Sequence, residues 1–584
     1  MKQVSFIVFC FILFVSCNNN EIKTTATANG DAGFDSMAAG YLKGYLDWRP
    51  QAAVALGLHE YDGKVSDFSK VSLDKELARL KSFDQKLNSV DTASLSQKMF
   101  FDYRILRMAV KNDISNFEDL HVYTANPMIY AGLVDVNTYL KRNYAPLQER
   151  LGYIIAVEKQ VPVLFASAKT NLADSIPKPW IETAIAICQG NAGFLKGDLL
   201  LALKEVKNDS LMGVFKKAND SAITAINSFV TWLQQEKLPR ANNHYAIGED
   251  NYRKMLLNSE ALTVSPEKIL AIGLVELKKE QERFNAAAKI IDPSKKPVEV
   301  YKTVQTEHPT ADSLIPVAKK HLEQIRQFLV DKNIVTIPSE VRVQVKETPQ
   351  YARSTGTAFM DVAGPFEKST ESYYYITPVD PKWTPQQKSD WLSMFDYYTT
   401  DNVSIHEAYP GHYVQGLHLN ASAATKIEKI FGSYAFVEGW AHYTELMMVE
   451  EGFGNDGGSV KAAKYRLAQS GDALLRICRL CVSVKMHCQG MTVDEATKFF
   501  MDNWYQGEKP SRQEAMRGSF DPGYLFYTVG KLELLKLRED YRKQEGSNYS
   551  LKKIHDAVLD NGMAPVGFLR EILLKDKNSW PAVL

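Results

Sequence analysis

From Phe34 to about Val330, apolar residues recur at three- and four-residue intervals with charged residues between them, as in "SLDKELARLKSFDQKLNSV" and "SPEKILAIGLVELKKEQERFNAAAKII". That period puts the apolar side chains on one stripe, so the stretch predicts a succession of amphipathic helices. Ser265-Pro266-Glu267 reads as a helix start, with serine as N-cap candidate and proline in the first turn. No repeat of fixed period marks a solenoid. At Ile334 the pattern changes: "IVTIPSEVRVQVKETPQYARSTGTAFMDVAGPF" and "ESYYYITP" alternate branched or aromatic residues with polar ones and hold turn residues between. This predicts a small antiparallel sheet. Helical spacing returns after Pro385 and lasts to the end. The expected fold is mostly α, with a small antiparallel β-sheet placed just before the histidine-rich stretch. A sheet there has an edge strand whose unpaired backbone groups suit an extended peptide.

The N-terminus follows a different rule. "MKQVSFIVFCFILFVSC" has Lys2, an apolar run from Val4 to Val15, and Ser16-Cys17. The run is short for a bilayer span and suits a secretory signal. Phe14-Val15-Ser16-Cys17 resembles a bacterial lipobox, with phenylalanine where leucine is usual, and Cys17 is the lipidation candidate; an ordinary cleaved signal or an uncleaved anchor is the alternative. The polar "NNNEIKTTATANGDAG" reads as a tether. The expected organisation is a signal over 1–17, a flexible tether over 18–33, a helical part over 34–330, and the sheet plus a helical catalytic part over 331–584. The last two form one intimate domain. Location follows: the bacterial cell envelope, lipid-anchored, periplasmic or surface-exposed.

At 584 residues, 45% hydrophobic and 24% charged, the chain can bury a large core. Lysine plus arginine and aspartate plus glutamate both count 69, so no overall field favours nucleic acid. A peptide or small-molecule partner is expected; the oligomeric state is not legible. Beyond the signal, Cys188, Cys478, Cys481 and Cys488 show no zinc-finger pairing and no disulfide framework. They read as small core residues.

Candidate chemistry lies in "IHEAYPGHYVQ". A helical His-Glu-x-x-His puts two imidazoles one turn apart, where both can ligate zinc and the glutamate can act as base toward metal-bound water. Here His412 comes six positions after His406. Six residues rotate an ideal helix by roughly 600°, leaving the two about 120° apart. Pro410-Gly411 offers a remedy, a local bulge that absorbs two residues and returns His412 beside His406. A second cluster, "FVEGWAHYTELMMVEEGF", supplies Glu438 as candidate third ligand, with His442 four residues on. Four of the eleven histidines, His406, His412, His418 and His442, fall within 37 residues.

"HEAYPGHYVQ", "EGWAHYTE" and "RLCVSVKMH" resemble the domain-of-unknown-function 885 family, which is rich in bacterial lipoprotein candidates. That family is similar in fold to the mostly helical zinc peptidases of the carboxypeptidase Taq, oligopeptidase and angiotensin-converting types. Its pattern His-Glu-x-x-Pro-Gly-His-x-x-Gln falls on His406, Glu407, Pro410, Gly411, His412 and Gln415; its Glu-Gly-Trp-Ala falls on Glu438, Gly439, Trp440 and Ala441. "RPQAAVALGLHEYD" and "FDPGYLFYTVGKLELLKLRED" extend the likeness over most of the mature chain. Two positions depart: His442 stands where leucine is common, and Ser483 where an aspartate is common. The first bears on the metal shell, the second on any role given to His487.

The resemblance implies a large helical zinc-peptidase-like fold and one zinc ion on His406, His412 and Glu438, with Glu407 as general base. His487, Tyr524 or Tyr527 is the candidate oxyanion donor. Gln415, His442, Trp440 and Arg517 are candidates for supporting the ligands or touching substrate. Arg342, Arg353 and Arg517 are the cations that could hold a terminal carboxylate, on which the choice between carboxypeptidase and oligopeptidase depends. The competing readings are a non-catalytic helical lipoprotein that binds peptides or glycans, and an inactive peptidase homologue. A carboxylate-pair glycosidase using Glu407 and Glu438 leaves both histidines unexplained.

Overall fold

The computed structural model describes residues 30–349, 353, 357–368 and 371–584. The signal, Cys17 and the first part of the tether lie outside the described residues. Helix α1 (Gly30–Trp48) takes in the last four residues of the stretch read as tether and buries Phe34, Ala38, Tyr41, Leu42 and Leu46.

Two long helices, α2 (Leu147–Asn171) and α3 (Asp209–Trp232), anchor an N-terminal core, where the rings of Phe165 and Phe229 stack 4.5 Å apart. By length and composition α2 could cross a membrane, yet half of that stretch is buried, as in the core helix of a globular protein. Next come α4 (Pro266–Ile291) and α5 (Leu314–Lys332). The α4 start matches the sequence expectation: Ser265 Oγ accepts the Lys268 N–H at 3.3 Å, and Pro266 fills the first position, where no N–H is needed.

Strands β1 (Gln344–Glu347), β2 (Ala358–Asp361) and β3 (Tyr373–Ile376) form one sheet in the order β1-β3-β2. The pairing corrects the expectation of an antiparallel sheet. β2 runs antiparallel to β3, but β1 pairs with β3 in parallel, Gln344 opposite Tyr373 and Glu347 opposite Ile376. β2 is itself the return pass that lets β1 and β3 point the same way. Alternation along a strand carries no information on its partner's direction. All four residues of β3 are buried, as befits the central strand.

The rest is helical: α6 (Tyr397–Glu407), α7 (His412–Ala421), α8 (Tyr434–Glu450), α9 (Gly458–Gln489), α10 (Glu508–Phe520), α11 (Phe526–Glu545) and α12 (Leu551–Leu559). Helix α4 lies along α9, and α8 along α11. At the second crossing a Cβ on Gly530 would stand 1.7 Å from the Ala435 carbonyl oxygen, and one on Gly439 2.6 Å from Gly530. Only glycines let these backbones touch. A continuous apolar core joins α1, α4 and α5 to the C-terminal helices, while the second core gathers residues between Leu46 and Leu233. Cys188, Cys478 and Cys481 are free and buried, and Cys488 is free and half-buried.

Candidate metal centre

Asp396 starts α6, its carboxylate accepting the N–H groups of Tyr398 and Thr399 at 3.0 and 2.9 Å. The helix ends at Glu407, and α7 begins at His412. Between them the chain leaves helical geometry at Ala408, passes through a cis Tyr409–Pro410 peptide and the non-helical Gly411, whose N–H donates to Ile405 O at 3.0 Å, and resumes at His412. A Cβ on Gly411 would lie 1.7 Å from His406 O, so no other residue fits without moving the backbone. The mechanism thus differs from a bulge within one helix: the helix breaks and a second one restarts. It brings the rings of His406 and His412 to 4.9 Å, edge to face. Trp440 fixes the break from outside, its fully buried indole donating to Pro410 O at 2.9 Å. Gln415 spans from α7 toward the Phe436 carbonyl at 3.5 Å and so braces α7 against the first turn of α8.

Ser433 caps α8, accepting the Phe436 N–H at 2.9 Å, and the helix presents Glu438, His442 and Glu445 along one stripe. Glu438 Oε2 lies 3.5 Å from His406 Nε2 and 3.5 Å from His412 Nε2, and ligand atoms of all three fall within 4.8 Å of one another. Donors about 2.1 Å from one tetrahedral zinc would be separated by roughly 3.4 Å. Two imidazole nitrogens and one carboxylate oxygen at this spacing therefore fit zinc, with a fourth position left for water. The side chains of His406, His412 and Glu438 are 6%, 17% and 20% exposed, so the trio meets an opening rather than a closed core. Glu407, next along the chain, accepts the Met360 N–H of β2 on Oε2 at 3.1 Å. The sheet's edge strand thus forms one wall of the site.

Electrostatics support a demand for positive charge. Burial works against protonating His406, but Glu438 and Glu445 outweigh it and raise its pKa to about 9. Burial likewise opposes ionising Glu438, and the two histidines overcome it, holding that carboxyl well below its usual range. Behind the trio, Glu445 Oε1 accepts His406 Nδ1–H at 2.7 Å and pairs with Arg476 Nη2 at 3.3 Å, while Oε2 accepts His442 Nδ1–H at 3.1 Å. The Nδ1–H bond turns His406 Nε2 toward the trio, where a metal that displaced the Nε2 proton would meet a nitrogen ligand. His442 Nε2 faces Lys531 Nζ of α11 at 3.5 Å.

Other sequence candidates lie elsewhere. His487 is not delivered to the trio: its Nε2 donates to Gly518 O at 2.8 Å and its Nδ1 accepts the Ile247 N–H at 3.4 Å, so both nitrogens tie backbone segments together. Burial, only partly offset by that carbonyl, lowers its pKa to about 4. Tyr524 is fully buried against Gly518, where an added Cβ would be 2.3 Å from its hydroxyl. Among the described residues, no hydrogen bond joins either side chain to the trio. Tyr527 is better placed: it is half-buried, ringed by the guanidinium groups of Arg479, Arg476 and Arg517 at 5.1, 5.8 and 5.9 Å, and its pKa is raised first by burial and then by Glu438. Arg517 is held by Asp521 at 2.9 Å and donates to the Tyr434 hydroxyl at 3.1 Å. Arg342 pairs with Glu323 and Glu340, and Arg353 with Glu347. His418 bridges Asp560 and the Thr336 carbonyl. Glu445, Arg476, Lys531 and Met360 were missed by the motif reading. Glu445 alone had a signal, its place seven residues after Glu438 on the stripe that also carries His442.

Residues 50–573 match the family described as "Bacterial protein of unknown function (DUF885)". A solved "putative lipoprotein of unknown function" from Shewanella oneidensis is similar at 25% identity and a TM-score of 0.77, over 93% of this chain and 100% of that one. A "putative lipoprotein" from Colwellia psychrerythraea shares the fold at 17% identity and a TM-score of 0.77, over 94% of this chain and 99% of that one. No curated protein matches the chain.

Proposed function

The chain belongs to the DUF885 family of bacterial proteins of unknown function, and from that premise and the trio's geometry we propose that it is a zinc-dependent peptidase of the cell envelope. The observation that carries this reading is the pair of 3.5 Å separations from Glu438 to His406 and His412, with Glu407 beside them. His406, His412 and Glu438 would hold the metal, which when bound supplies Lewis acidity toward a peptide carbonyl and toward water. Glu407 is anchored through one oxygen by Met360 N–H, which leaves the other to take a proton from water and pass it to the leaving amine. The Tyr527 hydroxyl, whose pKa burial and then Glu438 raise, is the donor for the developing oxyanion, since both nitrogens of His487 are committed to backbone groups. Backbone groups on the outer edge of β2 suit an extended peptide lying past Glu407. Lipid anchoring through Cys17 would keep this activity in the envelope.

Elemental analysis of protein purified without chelator or histidine tag comes first. About one zinc per chain, lost in Glu438→Ala, supports the centre; no uptake even after reconstitution moves the reading to a binding protein. With zinc in place, Glu407→Gln should keep the metal and lower peptide hydrolysis about a thousandfold. Undiminished turnover in that variant would remove Glu407 as base.

A further inference from the structure

His406 is supported from two helices beyond its own. Its Nδ1–H reaches Glu445 on α8, whose other oxygen accepts His442 Nδ1–H, and His442 Nε2 in turn faces Lys531 on α11. His442 and Glu445 are fully buried and Lys531 is 5% exposed. Among the described residues, His442 is the hydrogen-bond partner of Lys531. The backbone contact at Gly439 and Gly530 is what makes this reach possible, because Lys531 follows Gly530 and His442 sits one turn after Gly439. Arg476 completes the arrangement, pairing with Glu445 at 3.3 Å and donating to the Asp472 carbonyl at 3.1 Å.

We propose that His442 and Lys531 are positioning residues which, through Glu445, set the orientation of the His406 ring and so the affinity and geometry of the metal centre. The inference rests on the zinc reading above. Each imidazole is polarised along one line: Lys531 donates to His442, His442 donates to Glu445, and Glu445 accepts from His406. Glu445 is therefore pinned on both oxygens and cannot rotate away from His406 Nδ1. Removing His442 frees one oxygen of Glu445 and leaves the Lys531 ammonium buried without its partner. A leucine here would pack but could not hold either neighbour.

The test is zinc affinity of the full-length protein in detergent, by competition with a chromophoric chelator, together with the visible spectrum of the cobalt(II)-substituted protein. His442→Leu should weaken zinc about tenfold and shift the cobalt bands. His442→Gln, which can donate and accept, should restore both readouts to near wild type. Lys531→Met should weaken zinc about threefold, and the double variant should be no worse than His442→Leu alone, since both act on one line. If His442→Leu fails to fold, Lys531→Met and His442→Gln carry the same test. Affinities within twofold of wild type and unchanged cobalt spectra in all variants would overturn the proposal while leaving the metal centre intact. Wild-type protein that takes up no zinc would overturn the centre itself, and this inference with it.

Discussion

Two buried glutamates show opposite solutions to the same problem. Glu158 of α2 is 1% exposed, neither of its oxygens has a hydrogen-bond partner among the described residues, and burial alone raises its pKa to about 8. Glu445 of α8 is 0% exposed, yet Arg476, His442 and His406 overcome the effect of burial and hold its pKa well below the usual range. The difference lies in what surrounds the helix. α2 packs in the core built between Leu46 and Leu233, whereas α8 is flanked by α6, α9 and α11, which bring His406, Arg476 and Lys531. Burial therefore does not decide the charge of an interior carboxyl; the supply of donors does. The isolated acid is a local weakness in the N-terminal bundle, and the paired acid organises the candidate site.

This contrast can be broken most directly at Glu445. Glu445→Leu, assayed by urea unfolding with chelator present, should cost about 3–5 kcal/mol because Arg476 loses its closest charge partner. A loss below about 1 kcal/mol would mean that Asp472 suffices for Arg476, and that the cluster is less interdependent than its geometry implies. Glu158 should behave in the opposite sense. Its carboxyl is protonated in folded and unfolded chains below pH 4.5, but between 4.5 and about 8 the folded state binds more protons. Stability should therefore fall as pH rises through that window and level off above it. Glu158→Leu should remove this slope and raise stability at pH 8 by roughly 3 kcal/mol. Parallel pH profiles for wild type and variant would show instead that Glu158 is ionised in the fold. The smallest effect concerns the link between the two histidine helices: Trp440→Phe should cost about 1–2 kcal/mol by leaving the Pro410 carbonyl without its donor, with a matching weakening of zinc uptake. Unchanged stability and uptake would assign the indole to packing alone.

What the sequence disclosed follows the range of each interaction. Ser265-Pro266 predicted the start of α4 because capping is local, and the apolar spacing predicted a mostly helical chain for the same reason. The approach of His412 to His406 was half legible: Pro410-Gly411 announced an irregularity, but the break is braced by Trp440, thirty residues on. The parallel pairing of β1 with β3 had no local signal. Lys531 and His442 are 89 residues apart, and Arg476 lies on another helix, so no spacing rule could join them to Glu445. His487 misled because a histidine in an apolar helix looks the same whether it meets a substrate or, as here, two backbone segments.

The glycine contact between α8 and α11 has a mechanical consequence. Helices separated by side chains can slide as those chains change rotamer, but at Gly439 and Gly530 no such lubricant layer exists. The two helices must travel as one stiff strut, with Glu438, His442, Glu445 and Lys531 riding on it. Breathing of the candidate site then has to come from the elements around the strut, among them β2, whose Met360 N–H is held by Glu407. Amide exchange should accordingly be slowest along the strut near Gly439 and faster along β2, making the sheet the door and the helical pair its frame.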